Sequence, residues 1–166
     1  IRSMLRAPVD LIWNGGIGTY IKAARETHIA VGDSANDRVR VDAKDIRARV
    51  IAEGGNLGLT QPARIEAFEA GVKLNTDAVD NSAGVDMSDH EVNLKILLDQ
   101  LVRKKKILRQ KRNSIIRELE KDEIQKVLSH NISNNLAVAL DERRVPAHFL
   151  YFRSLIRMLN REGIIS

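Results

Sequence analysis

Three short apolar runs in the first 84 residues each end in a turn rich in glycine or asparagine. Ala7–Trp13 runs into NGGIGT (Asn14–Thr19), Arg49–Ala52 runs into EGGNLGLT (Glu53–Thr60), and Val72–Val79 runs into DNSAG (Asp80–Gly84). Apolar runs of this length, bounded by turn residues, read as buried strands. The segments between them read as helix or loop. Tyr20–Glu26 is expected to form a short helix. Val31–Val50 is expected to be a polar loop holding a short helix begun by Asp42 or Asp45. TQPARIEAFEAG is a helix with Thr60 as N-cap, Pro62 in its first turn and Gly71 at its stop. Strand, loop and helix repeated in this order make parallel βα units, whose ligands gather beyond the carboxyl ends of the strands. The three turns therefore converge on one edge of the sheet.

The hydrophobic period changes at Ser88. Val92, Ile96, Leu97, Leu101 and Leu108 recur at helical spacing, and Ile115, Ile116, Leu119, Ile124, Val127 and Leu128 resume it. A last segment starts at Pro146 and stops at Gly163, with Phe149, Phe152, Leu155, Ile156 and Leu159 along one face. Ser88 or Asp89 is the expected N-cap of the first long helix, with acids at its positive end. An α/β region over residues 1–90 is thus followed by a helical segment over residues 91–166.

The charge excess of this 166-residue chain, +5, is concentrated in RKKKILRQKR, Arg103–Arg112. A basic run is first a solvated helical face. A nucleic-acid-binding or interaction module built on it is the alternative, and the run has no aromatic residue on which a base could stack. A third use is docking on an acidic surface of another subunit or domain. There is no cysteine, so a disulfide framework and thiolate metal sites are excluded. No apolar run reaches the roughly 18–20 residues of a membrane span. The expected location is the cytoplasm. The chain opens on Ile1, and it is expected to be a piece of a longer polypeptide.

Most familiar chemical signatures are missing. Gly16-x-Gly18 begins like a dinucleotide fingerprint, but Ile21 occupies the third glycine position, and a tight turn accounts for it. GGNLGLT lacks the Gly-Lys-Ser/Thr of a phosphate loop. Asp86, Asp89, His90 and Glu91 invite a metal, yet His90 and Glu91 are adjacent, and neighbours on a helix diverge by about 100°. His28, His130 and His148 stand alone in the sequence, so no metal site is expected. What remains is Asn14, Asn56 and Asn81, each at a strand end beside glycine. Carboxamides donate and accept, which suits an amide, a ribose or an amino-acid ligand, while asparagine is also a common turn-former.

The strings APVDLIWNGGIGTYIKA, VGDSANDRVRVDAKDIRARVIAEGGNLGLTQPARIE and NTDAVDNSAGVDMSDHEVNLKILL closely resemble the large, bacterial type of NAD-specific glutamate dehydrogenase. The resemblance is strongest from Ala7 to Leu98 and continues more loosely through the helical part. It implies the C-terminal half of a Rossmann-like NAD-binding domain followed by helices. It also implies oxidation of L-glutamate by NAD to 2-oxoglutarate and ammonia. The shorter glutamate dehydrogenases share a sparser pattern, and their roles carry over to matching positions. Asn14, Gly15 and Gly16 would lie along the nicotinamide ribose, with Asn56 and Asn81 by the nicotinamide. Val85 and Ser88 would line the glutamate pocket, the Ser88 hydroxyl bonding the side-chain carboxylate. Gly55 stands where the short enzymes have alanine. The catalytic lysine and aspartate lie upstream in that family, so no catalytic residue is expected here and the segment alone is expected to be inactive. The resemblance further implies a homo-oligomer and dependence on the rest of the polypeptide. Glu53 is read as a structural carboxylate bonding nearby turn amides.

Overall fold

A computed structural model describes residues 1–165. The chain divides into two compact units, Ile1–Asn131 and a second beginning at Ile132. In the first, a short helix α1 (Arg2–Leu5) precedes strand β1 (Leu11–Asn14). Then come β2 (Ile21–Lys22), α2 (His28–Val31), β3 (Val41–Asp42), β4 (Val50–Glu53), α3 (Gln61–Glu69) and β5 (Lys73–Leu74). Three helices complete the chain: α4 (Asp77–Asp80), α5 (Ser82–Arg103) and α6 (Arg109–Arg161). No helix among the described residues is long and apolar enough to cross a membrane.

Every strand pairing is parallel. β4 lies between β1 and β5, and β2 pairs with β3. A bridge between Ile21 and Leu59 joins the smaller pair to the loop after β4. Parallel neighbours need a crossover, and α3 supplies it between β4 and β5. The buried face of α3 carries Ala63 and Ala67, both fully buried, so the helix axis comes close to the sheet. Ile21, Val41, Ile46, Ile51, Leu59 and Val72 fill the space around them. This is an aliphatic core, as the sparse aromatics require. β1 has β4 on one side only, and Leu11 and Trp13 are exposed along it.

Thr60 caps α3 by accepting from the Ala63 N–H at 3.2 Å, and its own hydroxyl donates to Glu26. Pro62 lies in the first turn, and Gly71, just past the helix, has φ +91°. Thr60→Ala is expected to lower stability by about 1 kcal/mol, the usual loss for an N-cap. An unfolding midpoint unchanged in urea would show that the cap contributes nothing.

Several expectations are corrected. Tyr20–Glu26 is not a helix. Ile21 and Lys22 form β2, because pairing with β3 buries both, and the Glu26 carboxylate turns back to accept from the Ala23 N–H at 2.8 Å. Val72–Val79 is a strand only over Lys73–Leu74. Asp77 accepts from the Leu57 N–H and pairs with the buried Arg64 guanidinium, Asp80 accepts from the Glu53 N–H, and both reach these partners from the short helix α4. The long helix begins at Ser82, so Ser88 and Asp89 are inside it rather than capping it. The Ser88 hydroxyl is satisfied there by donating to the Gly84 carbonyl one turn back, at 2.9 Å. Arg103–Arg112 is not one helical face. α5 ends at Arg103, Lys105 takes φ +55°, and α6 starts at Arg109. Arg112 pairs with Asp99 at 3.0 Å across that turn.

In the second unit the helix runs through Pro146, and the break expected there falls at His148 (φ −123°, ψ 28°). Proline lacks an N–H and crowds the carbonyl four residues back, which loosens the ladder around it.

Candidate functional site

The register sets where the loops meet. Asn14 at the end of β1 is level with Glu53 at the end of β4, and Leu74 of β5 is level with Ile51. The loops beyond β1 and β4 then interlock. The Gly54 N–H donates to the Asn14 carbonyl at 2.8 Å. A Cβ on Gly55 would stand 2.2 Å from the Gly16 carbonyl oxygen, and one on Gly58 would stand 1.9 Å from Asn14 Nδ2. Bare backbone is therefore required at 55 by the first loop alone, while at 58 a Cβ would displace the Asn14 side-chain amide. The Trp13 indole lies against Gly15 and Gly54 on the same edge.

The third loop joins through a side chain. Asn81 Nδ2 donates to Asn56 Oδ1 at 2.7 Å. Beside this pair is a groove of about 420 Å³ lined by Asn56, Asp77, Asn81, Val85, Asp86 and Asp89. Three of the residues named from the sequence, Asn56, Asn81 and Val85, thus share one groove. Asn14, Gly15 and Gly16 sit on the adjoining loop, packed on Gly54, Gly55 and Gly58. Ser88 is exposed on α5, one turn beyond Val85, and is not among the residues lining the groove.

Beneath the groove is a charged network that local sequence patterns did not reveal. The Arg64 guanidinium, side chain 7% exposed, binds both oxygens of Glu53, whose side chain is 1% exposed, at 2.8 and 3.0 Å. It also reaches Asp77 Oδ1 at 3.0 Å. Glu53 accepts from the Leu59 N–H at 3.1 Å, so it is the structural carboxylate its position implied. Asp77 accepts from the Leu57 N–H at 2.8 Å and Asp80 from the Glu53 N–H at 3.0 Å. Leu57 is held at φ +54°, a strained conformation for a residue with a side chain, and the Asp77 bond fixes it beside the groove. Desolvation pulls the Arg64 pKa down, but the hydrogen bonds and charge of Glu53, with Asp77 and Asp80, outweigh it and raise the pKa. The visible signals were Arg64 on the buried side of a capped helix and the Asp77/Asp80 pair three apart. Their partners lie 11 to 27 residues away.

A second polar cluster corrects the view of His130 as a lone residue. Asp86 and His90 are one turn apart on α5, with Asp86 Oδ1 3.2 Å from His90 Nε2. His130 of α6 brings its Nδ1 to 2.7 Å from Asp86 Oδ2. The other ring nitrogen of His90, Nδ1, faces Glu123. His28 also has partners, Arg40 at 2.9 Å and Asp37 at 3.6 Å. Lys22 is paired with Asp42 and Lys95 with Glu91.

Comparison with known proteins gives a concordant result. The family described as bacterial NAD-glutamate dehydrogenase, catalytic domain, matches residues 1–141. The NAD-specific glutamate dehydrogenase of Pseudomonas aeruginosa is 45% identical over 163 residues, covering 98% of this chain and 10% of that protein. That of Mycobacterium tuberculosis is 48% identical over 168 residues, again 98% of the chain and 10% of the relative. That of Halomonas elongata is 48% identical over 142 residues, 86% of the chain and 9% of the relative. The chain spans about a tenth of the length of these curated relatives. These matches place the chain in the bacterial NAD-glutamate dehydrogenase catalytic-domain family.

Proposed function

We propose that the chain supplies the nicotinamide side of a Rossmann-like NAD-binding domain in an enzyme that oxidises L-glutamate to 2-oxoglutarate and ammonia. Residues 1–90 would form the cofactor half and residues 91–166 its helical extension. The observation that carries the proposal is the Asn81–Asn56 bond at the lip of a groove at the strand ends. Ligands of open parallel sheets bind at that place, and the relatives' names supply the cofactor and substrate.

The residues present fit a nicotinamide. Glycine backbone at 15 and 16 leaves room for a ribose to approach, and the Asn56 and Asn81 carboxamides can complement another carboxamide. When bound, NAD accepts the hydride leaving the α-carbon of glutamate. The chain's own contribution is position: two interlocked loops and a carboxamide pair that hold the ring's wall fixed, with Val85 packing against the substrate. Orientation of this kind accounts for a large share of the rate in hydride transfer. The catalytic lysine and aspartate would come from upstream sequence, and further strands would add on the free side of β1. The parent enzyme is proposed to be a cytoplasmic homo-oligomer.

Ser88 provides the test. Its hydroxyl, which donates to the Gly84 carbonyl, would donate instead to the substrate's side-chain carboxylate after rotation about χ1. A hydrogen bond to a charged group is worth about 1.5–3 kcal/mol. Ser88→Ala in the full-length enzyme is therefore expected to raise the KM for glutamate about ten- to hundredfold, with that for NAD within about twofold. An unchanged KM for glutamate removes Ser88 from the pocket.

A further inference from the structure

Asp86, His90 and His130 bring two imidazoles and a carboxylate to one point on α5 and α6. Both nitrogens of His90 face carboxylates, Nδ1 toward Glu123 and Nε2 toward Asp86 Oδ1 at 3.2 Å. His130 Nδ1 lies 2.7 Å from the second oxygen of Asp86.

We propose that Asp86, His90 and His130 bind a zinc ion that ties α5 to α6. The donor set, two imidazoles and one carboxylate, suits zinc, which takes three protein ligands and leaves a fourth position for water. The three donor atoms already lie within 4.8 Å of one another. Bonds of about 2.0–2.1 Å in a tetrahedron place donors roughly 3.4 Å apart. The 3.2 Å from Asp86 Oδ1 to His90 Nε2 is close to that, while His130 Nδ1 faces the other oxygen, Oδ2, at 2.7 Å and has to draw back on binding. Glu123 completes the arrangement as a partner of the His90 Nδ1–H, turning Nε2 toward the metal and making it more basic. The cluster is accessible, with His130 57% and Asp86 26% exposed in their side chains, which leaves an entry path and a site for the water. Adjacent His90 and Glu91 cannot share an ion, but Asp86 and His90, four apart, share a helix face.

The test uses the full-length protein stripped by chelation, titrated with zinc chloride by calorimetry and with cobalt(II) by its visible absorption. Wild type is expected to take up one more equivalent than His130→Ala, with the tetrahedral cobalt bands lost in the variant. Glu123→Gln, which leaves the ligands in place, is expected to weaken zinc about 10–100-fold. Should the alanine variant fail to fold, His130→Gln keeps a polar residue at this exposed position and serves instead. Equal metal uptake by wild type and the His130 variant overturns the proposal. So does a Glu123→Gln protein that binds zinc as tightly as wild type.

Discussion

Arg64→Met is expected to lower the stability of the first unit by about 3–5 kcal/mol, the usual loss when one member of a buried ion pair is removed. Among the described residues Arg64 is the sole cation paired with Glu53, and it also pairs with Asp77. Methionine fills the stem's volume but leaves the Glu53 carboxylate, 1% exposed, with only the Leu59 N–H among its described partners. Asp77 and Asp80 then stand near it without a guanidinium between. The damage is to an uncompensated charge rather than to packing. Glu53→Leu added to Arg64→Met is therefore expected to recover more than half of the loss. Urea unfolding followed by far-UV circular dichroism measures both variants. A loss below about 1 kcal/mol for Arg64→Met would mean that the pair is solvated and the network is not what holds the strand ends together.

Gly55→Ala is expected to be the most damaging single methyl group at the candidate site. The new Cβ would be 2.2 Å from the Gly16 carbonyl oxygen, and a backbone carbonyl cannot swing away as a side-chain tip can. Overpacking against a fixed neighbour costs about 1–3 kcal/mol. Here it is relieved only by parting the two loops, which moves Asn14 away from Gly58. The KM for NAD is expected to rise about tenfold or more in the full-length enzyme, since 1.4 kcal/mol corresponds to one decade. Gly16→Ala is the control for stability: a Cβ there meets nothing within 4 Å. Equal unfolding midpoints for the two alanine variants would mean that the contact between the loops is not a constraint.

What the sequence revealed was what is local. Thr60, Pro62 and Gly71 delimit α3 because a cap, a first-turn proline and a left-handed stop act within a few residues. The parallel order followed from repeated strand–turn–helix units, and with it the meeting of Asn56 and Asn81. The residues that escaped depend on distant partners. Tyr20–Glu26 has helical composition, but β3 lies 20 residues on and draws Ile21 into a strand. Asp77 looked like the interior of a strand until Leu57 and Arg64 gave it reasons to be elsewhere. His130 is 44 residues from Asp86, and no spacing rule connects them. Ser88 was misplaced as a cap because the Asn81–Gly84 stretch reads as a turn, whereas Asn81 borders the start of α5.

The one-sided pairing of β1 also bears on how the segment behaves alone. Its outer edge presents unbonded N–H and C=O groups, with the Leu11 and Trp13 side chains exposed beside them. No lysine or proline interrupts Leu11–Asn14 to blunt it. A second copy can add there by pairing edge to edge. Expressed by itself, the segment is thus inclined to sheet-edge aggregation.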